Sequence, residues 1–118
     1  MKILVCGGRD FADKDFLFDW LDDYRSRCLD PITHLIHGAA RGADTLAGEW
    51  AALRGIQPVA CPALWRAHGS KAAGPMRNAA MLQLWPDIVI AFPGGTGTAN
   101  MVRQSRQAGI LVVPAVPR

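Results

Sequence analysis

The residues best suited to chemistry lie in one short segment that reads Pro93-Gly94-Gly95-Thr96-Gly97-Thr98. Its glycines let the backbone adopt positive φ and leave amide groups that no side chain shields. A helix starting at this turn would add the positive end of its dipole, and Thr96 or Thr98 could cap it. Such amides bind anions, with the hydroxyl of Thr98 as a further donor. The segment therefore predicts a phosphate-binding turn, although a tight strand-to-helix turn without a ligand is the alternative.

A second glycine turn, Gly7-Gly8-Arg9, follows the apolar segment at the start of the chain. We expect it to line the wall opposite the phosphate-binding turn. The guanidinium of Arg9 could grip a phosphate through two parallel hydrogen bonds. Arg9 could instead be a surface arginine that pairs with the neighbouring Asp10 or Asp13.

A third turn lies between residues 38 and 44, where glycine again allows close approach of the backbone. The carboxylate of Asp44 could accept hydrogen bonds from ribose hydroxyls. It could equally occupy the first turn of a helix, where a negative charge is favoured. The candidate binding residues of this turn are Gly38, Arg41, Gly42 and Asp44.

Arg77 is the side chain that we single out first as a ligand contact. It lies near the start of a predicted helix, where a cation gains nothing from the helix dipole. Asn78 beside it could contact the edge of a base or ribose. Trp65 lies in the segment 61–74, which shows no periodicity and is predicted to be a long loop. Its ring could stack on a base or could anchor the loop in the core.

The elements that must position these residues alternate along the whole chain. Apolar segments predict strands at 2–6, 33–37, 56–60, 88–92 and 110–113. Amphipathic segments predict helices at about 14–28, 44–54, 75–85 and 96–107, and Pro114 and Pro117 should stop the last strand. This alternation indicates one α/β domain over residues 1–118, with a parallel sheet between two helix layers. Ligands of such sheets bind beyond the carboxyl ends of the strands, so we expect the three turns to converge there.

The composition excludes several other classes of protein. The chain has 118 residues, of which 50% are hydrophobic, but no apolar run approaches the roughly 20 residues that span a membrane. We expect no signal peptide, and the scattered Cys6, Cys28 and Cys61 predict reduced thiols in a cytoplasmic protein. The three histidines lack the spacing of metal ligands, so neither a metal nor a cofactor is expected.

The charge is unevenly distributed along the chain. The net charge is +3, and residues 51–118 contain seven basic residues but a single acidic one. An excess of this kind favours an anionic partner, either a small phosphorylated molecule or a nucleic acid. A solvated basic surface without a partner is the alternative.

Four ordered motifs together resemble those of the SLOG superfamily, and in particular its YspA-related proteins from bacteria, phages and mobile elements. The resemblance covers nearly the whole chain. It implies a Rossmann-like three-layer α/β/α sandwich with strand order 3-2-1-4-5, and a ligand derived from a nucleotide, such as a relative of ADP-ribose. The motifs are Cys6-Gly7-Gly8-Arg9-Asp10-Phe11, the segment 37–44, Ala73-Gly74-Pro75-Met76-Arg77-Asn78 and the turn 93–98.

The resemblance also implies a candidate activity. The "lonely guy" phosphoribohydrolases of this superfamily cleave the N-glycosidic bond of nucleoside 5′-monophosphates with an arginine and a glutamate. Arg77 lies in the segment that corresponds to the arginine and is the candidate catalytic residue. Met101 stands where the pattern PGGxGTxxE places the glutamate. A thioether can neither take up a proton nor stabilise an oxocarbenium ion, which counts against hydrolysis by that route.

We therefore expect a domain that binds or senses a nucleotide-type small molecule and that, like small members of the superfamily, forms a homo-oligomer. The first alternative is a nucleotide N-glycosidase that uses Asp10, Asp44 or His68 in place of the glutamate. The second is a DNA-processing protein similar to Smf/DprA, which the basic half favours but no base-reading element supports. A membrane partner is not expected.

Overall fold

The computed structural model of this chain describes residues 1–116, without the side chains of residues 65–68 and 70. Strands and helices alternate throughout, as the sequence predicted. The elements are β1 (Lys2–Cys6), α1 (Lys14–Arg27), β2 (His34–His37), α2 (Ala43–Leu53), β3 (Gln57–Ala60), α3 (Trp65–Leu82), β4 (Ile88–Ala91), α4 (Thr96–Gln107) and β5 (Leu111–Pro114).

The five strands form one parallel sheet in the order β3-β2-β1-β4-β5, which confirms the expected Rossmann-like topology. β1 lies at the centre, where Leu4 pairs with Ile36 of β2 and with Val89 of β4. Ile3, Leu4 and Val5 have no exposed surface, as expected of a strand covered on both faces. The apolar character of β1 therefore follows from its central position.

Two hydrophobic cores, one on each face of the sheet, complete the three layers. On one face, Leu17 and Trp20 of α1 and Trp50 of α2 pack against alternate residues of β1 and β4. On the other face, Met81 of α3 and Met101 of α4 cover the intervening residues of the same strands. The core is thus built by the period-two alternation of strand side chains.

Helices α1 and α2 show why these segments fold as the local sequence suggests. Asp13 caps α1 by accepting a hydrogen bond from the amide of Phe16 at 3.1 Å. Asp22 on the same helix accepts from the indole of Trp50 at 2.8 Å and from two nitrogens of Arg54 at 2.8 Å each. These bonds join α2 to α1, and the guanidinium of Arg54 lowers the pKa of the Asp22 carboxyl.

The prediction of a long loop at 61–74 is wrong from Trp65 onward, where the structure has a helix. α3 begins at Trp65 and continues to Leu82, with one interruption at Gly69, whose φ of 79° and ψ of 167° are not helical. The first part of this helix contains Gly69 and Gly74 and no stripe of large apolar residues, so its sequence shows no helical period. Pro75 also lies inside the helix and not in its first turn.

Two smaller expectations about the last third of the chain are also corrected. The sequence predicted that Thr96 or Thr98 caps α4. Thr96 is instead the first residue of the helix, and the N-cap residue is Gly95, which has no side chain to form a capping bond. Pro114 belongs to β5, which tolerates it because an edge strand has only one partner for its backbone groups. Within residues 1–116, no helix is both long and apolar enough to cross a membrane.

Candidate functional site

The three glycine turns meet at the carboxyl edge of the sheet, and Gly8 is the point where they join. Its amide donates to the carbonyl of Pro93 at 2.8 Å, and its carbonyl accepts from the amide of Ala43 at 3.2 Å. Gly42, with φ of 82°, lies so close to the carbonyl of Gly8 that a Cβ would collide with it. The turns after β1, β2 and β4 therefore form one connected structure.

A cavity of about 1300 Å³ opens beside this junction. It is bounded by the turns after β1 and β4, by the start of α4 and by one side of α3. Twelve of the candidate binding residues line it, namely Gly7, Gly8, Arg9, Asp44, Arg77, Asn78 and Pro93, Gly94, Gly95, Thr96, Gly97 and Thr98. The structure thus brings most of the candidate residues to one concave surface.

The glycines of the turn 93–98 serve the fold to different extents. Gly94 packs against Gly8 and the hydroxyl of Thr98, so the fold itself excludes a side chain there. A Cβ added at Gly95 or Gly97 would meet no protein atom within 4 Å. The expectation of positive φ in this turn is wrong, since positive φ occurs at Gly42, Gly55, Gly69 and Gly109. Gly95 and Gly97 instead keep the backbone bare where it faces the cavity.

Arg77 is half-buried and reaches the cavity from α3. Its Nη1 donates to the carbonyl of Gly38 at 2.6 Å and its Nε donates to Oδ1 of Asn78 at 2.9 Å. The guanidinium occupies the space that a side chain at residue 38 would need, which explains Gly38. Burial lowers the pKa of Arg77, while the nearby carboxylate of Asp44 acts in the opposite direction. Arg77 therefore has a structural partner that the sequence did not indicate.

Asn78 is 2% exposed and connects α3 to α4. Its Nδ2 donates to the carbonyl of Gly97 at 3.3 Å and to Oδ1 of Asn100 at 3.0 Å. With its Oδ1 bound to Arg77, the amide links the guanidinium to the glycine turn. This arrangement fixes the guanidinium of Arg77 and the turn 93–98 relative to each other.

Asp44 lies under the turn after β2. Its Oδ2 accepts from the amides of Gly38 at 3.1 Å and Ala40 at 3.3 Å. Burial raises the pKa of this carboxyl, and the two amides together with Arg77 and Arg9 offset part of that effect. Asp44 therefore occupies the first turn of α2, as one of the two sequence-based alternatives stated, and its bonds to Gly38 and Ala40 also hold the turn in shape at the wall of the cavity.

The remaining candidate residues lie beside the cavity or outside the described part of the chain. Gly38 and Gly42 pack behind its wall, against Arg77 and Gly8 respectively. Arg41 is an exposed residue whose Nη2 lies 3.2 Å from Oδ1 of Asp10, so Asp10 pairs with Arg41. The side chain of Trp65 lies outside the described residues, and so does that of His68.

Several lining residues were not among the candidates. Lys71 and Arg103 add positive charge from α3 and α4, and their basic character in the acid-poor half was the only available signal. The floor consists of sulfur-containing side chains, Cys6, Met81 and Met101, all nearly inaccessible. Burial raises the pKa of the Cys6 thiol to about 12, so it stays protonated at neutral pH. The floor of the cavity is therefore apolar and polarisable, whereas its walls carry charged side chains.

A five-stranded parallel sheet with a cavity at its carboxyl edge defines a Rossmann-like α/β domain. The chain belongs to the YspA, cpYpsA-related SLOG family, whose model matches residues 1–68. It is also 35% identical to the Gene 61 protein of Mycobacterium phage D29 over 119 residues, which cover 95% of this chain and 94% of that relative. No solved structure matches the chain significantly. Membership of this family suggests a nucleotide-related function.

Proposed function

We propose that this domain binds a nucleotide-type ligand whose phosphate lies on the amides of the turn 93–98. The observation that carries the proposal is the bare backbone at Gly97. Its φ is not positive, it lies in the first turn of α4, and a Cβ added there would meet, within 4 Å, no atom of the described residues beyond its own stretch of helix. Glycine in a helix destabilises the fold relative to alanine. A ligand that must approach the backbone explains why glycine stands there.

The charges around the cavity support an anionic ligand. Four cationic side chains line it, from three different elements, against the carboxylates of Asp10 and Asp44. Asp44 is already bonded to two backbone amides, and Asp10 is paired with Arg41. The cations therefore dominate the surface that a phosphate would meet; they are Arg9, Lys71, Arg77 and Arg103.

Binding without hydrolysis is the form of this function that we favour. Met101, at the position of the glutamate in the hydrolases, is 1% exposed and packs in the core beneath the cavity. The carboxylate of Asp44 accepts hydrogen bonds from the amides of Gly38 and Ala40, and the carboxylate of Asp10 lies on the exposed rim of the cavity. The ligand should accordingly leave the site unchanged, and incubation with AMP should release no free adenine. Release of adenine at a catalytic rate would favour the N-glycosidase instead.

The test is calorimetric titration of the protein with AMP, ADP-ribose and NAD, repeated with Gly97→Ala. At least one of the three nucleotides should bind the native protein. The added methyl of Gly97→Ala should lower the affinity for that nucleotide about tenfold or more, because it lies between the ligand and the backbone amides. The same variant should unfold at a higher temperature, because alanine stabilises a helix by roughly 0.5–1 kcal/mol over glycine. If Gly97→Ala loses nucleotide binding but gains stability, then the ligand requires glycine at this position and the fold does not.

A matched control is Ser26→Ala on α1, far from the cavity. It changes another helical residue to alanine and removes, among the described residues 1–116, one bond, from the hydroxyl to the carbonyl of Asp23. It should leave nucleotide affinity unchanged. Unaltered affinity in Gly97→Ala, or no binding of any nucleotide by the native protein, would refute the proposal.

A further inference from the structure

A second, smaller groove lies on the far side of the phosphate-binding turn. It has a volume of about 490 Å³ and shares Gly94, Gly95 and Thr98 with the main cavity. Beyond the turn it follows one face of α4, past Val102 to Arg106. Arg103 lines both spaces, so the groove and the cavity adjoin at this turn.

The charged side chains of this groove are Arg103 and Arg106. Neither forms an ion pair with any residue in the described range 1–116. The sequence contains no acidic residue after Asp87, so α4 offers neither of them a partner on its own surface. Two arginines one turn apart, without neutralising carboxylates, form a site for an anion from outside the chain.

The spacing along α4 indicates what kind of anion fits. Thr98, which lines both spaces, and Arg106 are eight residues apart, which corresponds to about 12 Å along the helix axis. Helical side chains lean towards the N-terminus, so the guanidinium of Arg106 lies closer to the turn than its Cα does. The remaining separation still exceeds that of the two phosphorus atoms of a pyrophosphate, which share one bridging oxygen. A sugar between two phosphates supplies the greater spacing.

We infer that the ligand carries two phosphate groups separated by a sugar, as in a 5′-phosphorylated dinucleotide. One phosphate binds the turn 93–98, as in the proposed function on which this inference rests, and the second binds Arg103 and Arg106 in the groove. The same chemistry occurs in a free dinucleotide and at the 5′ end of a single strand. Inorganic phosphate and mononucleotides fill only the first subsite.

The experiment compares AMP, ADP and the dinucleotide pApA as ligands of the native protein and of Arg106→Gln. Native protein should bind pApA about tenfold more tightly than AMP or ADP, because only pApA reaches the second subsite. Arg106→Gln should lower the affinity for pApA by about five- to tenfold and change the affinity for AMP by less than about twofold. Arg25→Gln, which removes an exposed charge from α1 on the opposite face of the sheet, should change none of these affinities.

The outcomes separate this inference from the proposed function. AMP binding with no gain for pApA, or an equal loss for AMP and pApA in Arg106→Gln, overturns the second subsite alone. Failure of AMP, ADP and pApA to bind overturns the second subsite, and the proposed function is overturned as well if ADP-ribose and NAD also fail to bind. Tighter binding of an eight-nucleotide strand with a 5′ phosphate than of pApA identifies a strand end as the source, and equal binding identifies the free dinucleotide.

Discussion

Single residues at the carboxyl edge of the sheet serve the fold and the cavity together. Gly38 leaves room for the guanidinium of Arg77, and in return Nη1 of Arg77 satisfies its carbonyl. Gly42 leaves room for the carbonyl of Gly8. Gly97 differs from these because no contact within the chain requires it. At the scale of residues, therefore, only some of the glycine motifs point to a ligand.

His37 at the end of β2 makes stability depend on pH. It is 8% exposed, and its Nδ1 accepts from the amide of Ala39 at 3.0 Å, which requires the neutral ring. Burial lowers the pKa of His37 below its ordinary value of 6.5. The unfolded chain therefore takes up the proton first, and stability falls as the pH drops from about 6.5 towards the lower pKa of the folded state.

We expect His37→Asn to lose less stability than the native protein between pH 7.5 and pH 5.5. The Oδ1 of asparagine can replace Nδ1 as the acceptor for Ala39, and it does not titrate in this range. Urea unfolding at both pH values measures the difference. Parallel losses in the two proteins would show that groups other than His37 control the acid sensitivity.

At the scale of elements, the contact between α3 and α4 determines the geometry of the cavity. The buried amide of Asn78 makes two hydrogen bonds across this contact, to Gly97 and Asn100, and accepts a third from its neighbour Arg77 within α3. We expect Asn78→Ala to lower the free energy of unfolding by about 2–3 kcal/mol, because buried groups lose their partners. Nucleotide affinity should fall too, since Arg77 and the turn lose their common support.

Gln104→Ala is the matched control for this prediction. Its amide donates to the carbonyl of Pro75 across the same pair of helices and to Asn100 within α4, at a more exposed position. We expect Gln104→Ala to lower the free energy of unfolding by less than about 1 kcal/mol, because water can replace the lost hydrogen bonds. Equal costs in the two variants, measured by urea unfolding, would contradict the special role of Asn78.

The sequence predicted elements where local chemistry decides them and failed where packing does. The run of apolar residues in β1, the cap at Asp13 and the positive φ of Gly55 all follow from neighbouring residues. The first half of α3 could not be predicted, because its sequence contains no apolar stripe and Gly69 suggests a loop.

For the candidate site, the three turns could be predicted because each follows a strand, and parallel strands end at one edge. The partners of individual side chains could not. The burial of Asn78 depends on where α4 crosses α3, and the position of Arg103 between two spaces depends on the rotation of α4. Both are properties of tertiary packing, which no local pattern encodes.

At the scale of the whole molecule, the sheet order predicts a gradient of stability. β1 and β4 lie at its centre between two cores, whereas β3 and β5 form its edges and carry exposed residues. Hydrogen exchange followed by mass spectrometry should show the slowest exchange in β1 and β4 and the fastest in β3 and β5. A uniform rate across all five strands would indicate that the chain opens only by global unfolding.

The bonds of Gly8 to the turns after β2 and β4 bear on how this family can vary in length. Inserting or deleting a residue in any of these turns would break the junction and displace the other two. At the opposite edge, the connection before β4 is bonded to Lys2 through Asp87, but the connection between α1 and β2 includes the fully exposed Leu29. Homologous chains should therefore differ in loop length near residue 29 more readily than at the carboxyl edge of the sheet.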